Sequence, residues 1–181
     1  MLKIQSKGGQ TLLCENGQAS LSVFPSSAGK PTGENNYVLL DSPQEEYAEH
    51  IVSWPGEYDY GGVSIRGIGQ KEGKQVSYIV TADNIRCGFV SSPMQEFTEA
   101  DEEIIGDLDV LVVPAEDVKK VQKLVEDVDP RVVIPINTGD EKIFREVVAV
   151  CGGKEVEEVS EVKLKKSSLP TESREVYVLK S

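Results

Sequence analysis

Residues 107–136 indicate the fold class most clearly, because they join a buried strand, an amphipathic helix and a second buried strand. Their sequence is DLDVLVVPAEDVKKVQKLVEDVDPRVVIPI. Within Glu116–Val128 the apolar residues recur every three or four positions, as on one face of a helix, and Pro130 ends that helix. The flanking runs Asp109–Val113 and Arg131–Pro135 are typical of strands buried on both faces. We expect these two strands to lie parallel, joined by a right-handed crossover.

Outward from this stretch, Thr98–Ile105 and Asp140–Cys151 predict two further helices, and Glu161–Lys165 and Glu175–Leu179 predict two further strands. The first 90 residues contain short aliphatic runs between Gly, Pro, Asn and Ser, which are typical of a mostly antiparallel sheet. The strands predicted there are Leu2–Gln5, Thr11–Cys14, Ala19–Phe24, Tyr37–Leu40, Val63–Ile68, Val76–Thr81 and Ile85–Val90. Segment 26–36 is polar and rich in turn residues, so we expect a mobile loop there.

These patterns predict an α/β (α+β) protein in which two sheets pack together with helices outside them. A chain of 181 residues can bury a core of its own, so we expect a single domain spanning residues 1–181.

The composition argues against several classes of protein. The longest apolar runs, such as Val132–Ile136, are far shorter than the roughly 18 residues of a membrane span, and no signal-peptide segment follows Met1. We therefore expect a cytoplasmic protein that does not enter a membrane. The net charge of −12 repels phosphate groups and argues against nucleic acid as the main partner. Cys14, Cys87 and Cys151 lack metal-site spacing and are expected to be buried free thiols.

Four segments, in this order, resemble the small members of the metallo-β-lactamase superfamily, in the branch similar to L-ascorbate-6-phosphate lactonases. They are WPGEYDYGGVSIRGI at residues 54–68, IGDLDVLVVP at 105–114, DPRVVIPI at 129–136 and LKKSSLP at 164–170. The resemblance implies an αββα four-layer sandwich, here a reduced metallo-β-lactamase fold. Pro55-Gly56 is expected to form a turn, with Glu57 accepting backbone N–H groups.

The resemblance also implies a zinc centre, but this sequence departs from its ligand pattern. The family's H-x-H-x-D-H motif falls on Ser42–Tyr47, where Glu46, at the Asp position, is the only ligand position that keeps an acidic residue. The family's last histidine falls on Asn137. The chain contains one histidine, His50, whereas a paired zinc site needs several imidazoles. We therefore predict that the zinc site is lost, with no catalytic residues, no metal ligands and no cofactor.

The loops that form the family's pocket should still converge on one rim and leave a vestigial cleft. The residues expected to line this cleft are Ser42, Gln44, Glu46, Tyr47, Gln70, Ser91, Ser92 and Asn137. If a ligand site persists, the resemblance places it there.

The sequence favours a non-catalytic protein that acts as a binding or assembly module. Its partner would be a small molecule or a protein, and self-association as a homo-oligomer stays open. One alternative is a divergent metal-dependent hydrolase that uses oxygen ligands from a carboxylate-rich region. Its candidate ligands are Asp41, Glu45, Glu46, Glu49 and Glu57. The other alternative is a small-molecule sensor that uses the vestigial cleft.

Overall fold

The computed structural model describes residues 1–27, 29 and 31–181, and its elements alternate between strands and helices as follows. The strands are β1 (Leu2–Ser6), β2 (Leu12–Glu15), β3 (Ser20–Val23), β4 (Asn36–Leu39), β5 (Ile51–Val52), β6 (Gly56–Tyr60), β7 (Val63–Gln70), β8 (Gln75–Ala82), β9 (Ile85–Phe89), β10 (Val110–Ala115), β11 (Val132–Asn137), β12 (Glu158–Val159), β13 (Val162–Leu164), β14 (Glu175–Val176) and β15 (Val178–Leu179). The helices are α1 (Glu99–Ile105), α2 (Val118–Val128) and α3 (Glu141–Val150), with a 3₁₀ turn at Lys166–Ser168.

The strands form two large sheets. The first has the order β13-β1-β2-β3-β4-β5, and the second has the order β14-β11-β10-β9-β8-β7-β6. The predicted parallel pair is confirmed, because β10 and β11 run parallel with Val110 opposite Val132. β12 and β15 form a separate short parallel pair.

The two sheets share one apolar core. In β1, Leu2 and Ile4 are buried, whereas the alternate residues Lys3 and Gln5 are partly exposed, as the alternation of side chains along a strand requires. These two side chains belong to the same buried cluster as Tyr78 of the second sheet. The predicted packing of two sheets is therefore confirmed.

The outer face of the second sheet carries the helices. Ile79 and Leu111 on that face are buried in one cluster with Leu124 of α2 and Phe144 of α3. Because both faces of β10 and β11 are covered, their sequences are continuously apolar. Within the described ranges, α2 and α3 pack on β10 and β11 of this sheet.

Each helix begins at a polar side chain that accepts backbone N–H groups. Thr98 and Asp101 form a reciprocal capping box at the start of α1, and Gly106 ends that helix. Asp117 caps α2 and Asp140 caps α3 in the same way. These caps fix the points at which the chain leaves β10 and β11.

Two local expectations are wrong. The turn expected at Pro55-Gly56 is one residue out of place, because the chain bends at Trp54-Pro55 and Gly56 already begins the strand paired antiparallel with β7. Glu175–Leu179 is not one strand, since its first part pairs with β11 and its second part with β12. A chain that changes partner at Tyr177 keeps the same apolar alternation, so the sequence pattern does not reveal the break.

The expected mobile loop at 26–36 includes residues 28 and 30, which lie outside the described residues, and its last residue, Asn36, begins β4. The expectation of free, buried thiols is confirmed for Cys14, Cys87 and Cys151. None of the described helices has both the length and the hydropathy that a membrane span requires.

Candidate functional site

A cavity of about 710 Å³ opens where β4 ends, β9 ends and β7 turns into β8. Parallel strands of α/β sheets commonly place ligands beyond their carboxyl ends, and this cavity lies beyond the carboxyl end of β9. The residues that line it are Asp41, Ser42, Lys71, Glu72, Lys74, Gln75, Ser92 and Pro93.

Two donors on β8, the Tyr78 hydroxyl and the Val76 amide, make three hydrogen bonds to the first-sheet side of the cavity. The Tyr78 hydroxyl is shared between the carbonyl oxygens of Leu40, at 2.5 Å, and Val52, at 3.1 Å. The Val76 amide donates to the carbonyl oxygen of Asp41 at 2.8 Å. Burial raises the pKa of Tyr78, so its hydroxyl stays protonated and continues to donate.

A buried network of neutral polar side chains lies beside the cavity. Gln75 Nε2 donates to Ser91 Oγ at 2.8 Å and to the carbonyl oxygen of Pro93 at 2.8 Å. The hydroxyls of Ser77 and Ser91 lie 3.1 Å apart, and Ser77 Oγ donates to Gln70 Oε1 at 2.9 Å. The backbone amide of Ser91 donates to Ser77 Oγ at 3.0 Å. The network joins β7, β8 and the end of β9 through amides and hydroxyls.

The two glutamines of this network differ in what remains unpaired. Both Nε2 hydrogens of Gln75 already form hydrogen bonds. The side-chain oxygen Oε1 is therefore the group of this amide that is left to accept from a ligand in the cavity. Gln70 Nε2 is buried and has no hydrogen-bond partner among the described residues. A buried donor without a partner is costly, which makes Gln70 the least satisfied member of the network.

The cavity mouth carries charges of both signs. Lys71 and Lys74 supply two ammonium groups, and Asp41 and Glu72 supply two carboxylates. All four residues are exposed, so their charges remain hydrated and act on a ligand through screened attraction. The mouth therefore fits a small molecule that has an anionic group together with hydroxyl or amine donors.

The structure brings together four of the residues predicted for the cleft. Ser42 and Ser92 line the cavity, and Gln70 and Ser91 belong to the buried network beside it. Gln44, Glu46 and Tyr47 do not line it, because the chain after Ser42 turns outward and leaves Glu46 and Tyr47 exposed.

Asn137 also lies outside the residues that line the cavity. Its Oδ1 accepts from the amide of Gly139 at 2.9 Å, and its Nδ2 donates to Glu141 at 3.1 Å. These bonds shape the turn that leads from β11 into α3.

Several residues of this region were not among the eight expected to line the cleft. They are Asp41, Lys71, Glu72, Lys74, Gln75, Ser77 and Pro93. A signal was available for two of them, because Gln75 and Ser77 are polar residues on the same face of an otherwise apolar strand. Buried polar side chains at alternating positions predict a hydrogen-bonded network on that face.

The candidate carboxylate ligands do not assemble into one site. Glu57 forms an ion pair with Arg66, and Glu49 lies 3.7 Å from His50 Nε2. His50 Nδ1 lies 3.2 Å from the carbonyl oxygen of Asn36, on the edge of the first sheet. Across residues 1–27, 29 and 31–181, no three His, Cys, Asp or Glu side chains come together as metal ligands would.

The residues around the cavity do not fit the zinc centre that the resemblance implies. Zinc prefers imidazole and thiolate ligands, whereas this cavity offers hydroxyls, an amide and two hydrated carboxylates. The ammonium groups of Lys71 and Lys74 at the mouth would also repel a cation.

Residues 6–137 match the model of the β-lactamase superfamily domain family. A comparison with curated proteins finds no match.

Solved structures with the same fold cover nearly the whole chain. One is from Thermotoga maritima, is provisionally named a zinc-dependent hydrolase of the metallo-β-lactamase superfamily, and is 19% identical with a TM-score of 0.79 over 99% of each chain. Another is the metallo-β-lactamase fold protein YhfI from Bacillus subtilis, which is 11% identical with a TM-score of 0.65 over 99% of this chain and 97% of its own. A third, from Parabacteroides distasonis and provisionally named a metal-dependent hydrolase, is 15% identical with a TM-score of 0.64 over 98% and 92%. At these identities the similarity establishes the sandwich fold.

Proposed function

Since this chain belongs to the β-lactamase superfamily, we propose that it is a non-catalytic member, a metallo-β-lactamase-fold protein that has lost its zinc centre and works as a binding module. The observation that carries this proposal is the buried network of Gln70, Gln75, Ser77 and Ser91. This network lies beside the cavity, near the end of β9, and consists of neutral groups that hydrogen bond to one another.

Neutral amides and hydroxyls do not replace the chemistry of a metal centre. A zinc ion lowers the pKa of its bound water to about 7 and so supplies hydroxide at neutral pH. A serine hydroxyl needs an adjacent base to become a nucleophile, and the neighbours of Ser91 Oγ are the Gln75 amide and the Ser77 hydroxyl. Neither group takes up a proton at neutral pH, so Ser91 is suited to hydrogen bonding and not to attack.

The cavity is instead suited to recognition. Lys71 and Lys74 can attract a carboxylate or phosphate, while Ser42, Ser92 and the Gln75 carbonyl oxygen can hydrogen bond to hydroxyl groups of the same molecule. The ligand class that fits is a small, hydroxylated anion.

The first experiment measures metal. Purified protein is incubated with excess zinc, desalted and analysed for zinc by mass spectrometry, and its thermal unfolding is followed with and without EDTA. We expect less than about 0.1 zinc per chain and no change in Tm with EDTA, since a structural or catalytic site would be occupied and would stabilise the fold. Retention of one or two zinc ions per chain would overturn the proposal.

The second experiment tests recognition by titrating the protein with inorganic phosphate and with gluconate, monitored by thermal shift and calorimetry. The double variant Lys71→Glu/Lys74→Glu should lose the response, while Lys119→Glu/Lys142→Glu, with the same change in net charge on α2 and α3, should retain it. If both variants respond alike, the anions do not bind in the cavity.

We also propose that the chain is a single domain of the lactonase-like branch and that it works in the cytoplasm. The WPGEYDYGGVSIRGI segment supports the branch, because its two parts form the adjacent strands β6 and β7. The three buried free thiols suit a reducing compartment. A single domain should unfold in one cooperative transition when followed by circular dichroism and by fluorescence.

A further inference from the structure

Residues 31–65 have an unusual composition that the proposed function does not explain. The segment contains no lysine or arginine, but it includes seven carboxylates: Glu34, Asp41, Glu45, Glu46, Glu49, Glu57 and Asp59. It also contains the only tryptophan, the only histidine and four of the six tyrosines of the chain.

The fold gathers these aromatic residues where two terminal strands lie. β5 is the last strand of the first sheet, and β6 is the last strand of the second sheet. We use the name aromatic edge for the side chains of Tyr37, Tyr47, His50, Trp54, Tyr58 and Tyr60.

Four rings of the aromatic edge form a continuous series, in the order His50, Tyr37, Tyr60 and Tyr58. The centroid of the Tyr37 ring lies 4.9 Å from that of His50 and 4.3 Å from that of Tyr60. The ring centroids of Tyr58 and Tyr60 lie 6.4 Å apart. The Tyr58 hydroxyl donates to the carbonyl oxygen of Trp54 at 2.8 Å. Burial raises the pKa of Tyr60, and the hydroxyls of Tyr47, Tyr58 and Tyr37 raise it further.

Tyr47 and Trp54 are the exposed members of the aromatic edge, and the Trp54 ring is held by a hydrogen bond. Tyr47 is 89% exposed and Trp54 is 55% exposed, which makes them two of the most exposed large apolar residues in the described chain. Trp54 Nε1 donates to the carbonyl oxygen of Gln44 at 3.0 Å. A Cβ at Gly67 would lie 2.9 Å from the carbonyl oxygen of Trp54, so glycine there permits the close approach that positions the indole. Rigid, exposed aromatic rings are typical of binding surfaces.

The carboxylates around these rings give the surface one sign of charge. Glu45 and Glu46 directly precede Tyr47, are exposed and form no ion pair with any residue that the structure describes. Because β6 pairs with β7 on one side only, its other side presents backbone N–H and C=O groups.

We propose that the aromatic edge is a docking site for an extended, lysine- or arginine-rich segment of another protein. Such a segment can add a strand to β6, stack its aliphatic stems and cationic groups on Trp54 and Tyr47, and pair with Glu45 and Glu46. Charge complementarity favours this occupant over a second copy of the chain, because two copies meeting through the same surface would oppose like charges.

Trp54 provides a direct readout, because it is the only tryptophan and its emission reports on this surface alone. The full-length protein is titrated with a ten-residue peptide of alternating lysine and valine, and in parallel with the corresponding glutamate–valine peptide. We expect the basic peptide to produce a saturable change in Trp54 emission that weakens as salt is added, and the acidic peptide to produce none.

Two pairs of variants separate this site from general attraction to an acidic protein. Glu45→Lys/Glu46→Lys should weaken binding about tenfold, while Glu155→Lys/Glu157→Lys, with the same change in net charge near β12, should change it less than about twofold. Tyr47→Ser should weaken binding, whereas Ile104→Ser, at another exposed apolar residue, should not. Equal effects of the two charge-reversal pairs, or equal binding of the acidic peptide, would overturn the proposal. So would a change in Trp54 emission with protein concentration alone, because it would identify a second copy as the occupant.

Discussion

At the amino ends of β9, β10 and β11 the buried polar group is a carboxylate, whereas at their carboxyl ends the buried polar groups are amides and hydroxyls. Asp109, which precedes β10, has a side chain only 9% exposed and accepts from the Arg86 amide at 2.9 Å and from Lys166 Nζ at 2.7 Å. Beyond β9 the corresponding groups are Gln75 and Ser91, which carry no charge.

The stability of the sandwich therefore depends on a buried charge at one end of the sheet and not at the other. The Asp109 carboxylate satisfies partners from three separate parts of the chain, so it joins the sheet to the 3₁₀ turn that carries Lys166. At the carboxyl end, which we call the neutral end, the buried polar groups are uncharged. They suit hydrogen bonding to a ligand and do not suit holding a cation. The fold keeps its buried charge at the end that the cavity does not use.

Removing the buried charge should have the largest effect. Asp109→Ala leaves the Arg86 amide and the Lys166 ammonium without their acceptor, and we expect it to lower the free energy of unfolding by about 2–4 kcal/mol. Urea denaturation followed by circular dichroism measures this loss. Lys166→Met, which removes a half-exposed partner, should cost no more than about 1 kcal/mol. Equal costs for the two variants would show that the ion pair, and not the buried carboxylate, is the important element.

At the neutral end the two glutamines should respond differently. Gln75→Leu removes both of its hydrogen bonds and leaves Ser91 Oγ without its donor, while the Pro93 carbonyl oxygen keeps its bond from Gln95 Nε2. We expect a loss of about 1–3 kcal/mol. Gln70→Leu removes one hydrogen bond but also an unpartnered buried amide, so its cost should stay below about 1 kcal/mol. The same urea titration compares them, and a larger loss at Gln70 would contradict the network as described.

The sequence predicted the second half of the fold well because local and global signals agree there. The apolar period in Glu116–Val128, the caps and the continuous strands all specify one arrangement, and the structure shows it. The strand at Gly56–Tyr60 was missed because Pro55-Gly56 is a strong turn signal, whereas pairing with β7 decides the conformation. Tertiary pairing has the same effect at Tyr177, where the chain changes partner.

The region of the cavity could be anticipated only in part. The resemblance drew attention to the loops at Ser42 and at Ser91-Ser92, and both contribute to it. It could not show that Tyr47 is exposed, because the path of the chain after Ser42 depends on contacts distant in sequence. Gln44 bonds through its backbone amide to Ser53 Oγ and through its backbone carbonyl oxygen to Trp54 Nε1. The lysines at the mouth have no distinguishing pattern in the sequence, since exposed lysines are common on any protein surface.

The pH dependence of stability at high pH tests the two buried thiols Cys14 and Cys151. Burial raises the pKa of Cys14 to about 12 and of Cys151 to about 11, while an unfolded thiol titrates near about 8.5. Above that pH the unfolded chain loses protons that the folded chain keeps, so stability falls as pH rises, by about 1.4 kcal/mol per thiol one unit above the unfolded value. Cys14→Val should show a smaller decrease in Tm between about pH 8 and pH 10 than the wild type. An unchanged decrease would mean that Cys14 does not remain protonated in the folded state.

The smallest effect is expected at Asn137, where the neutral end meets α3. Its two hydrogen bonds, to the Gly139 amide and to Glu141, are local and partly exposed, so Asn137→Ala should cost only about 0.5–1 kcal/mol. Since Asn137 does not line the cavity, the variant should bind gluconate as the wild type does in calorimetry. Glu141→Gln is the matched control, because it keeps an acceptor for Asn137 Nδ2 and should be close to neutral. If Asn137→Ala abolished gluconate binding while leaving the fold intact, the ligand site would have to extend from the cavity to the carboxyl end of β11, and the neutral end would be one continuous surface.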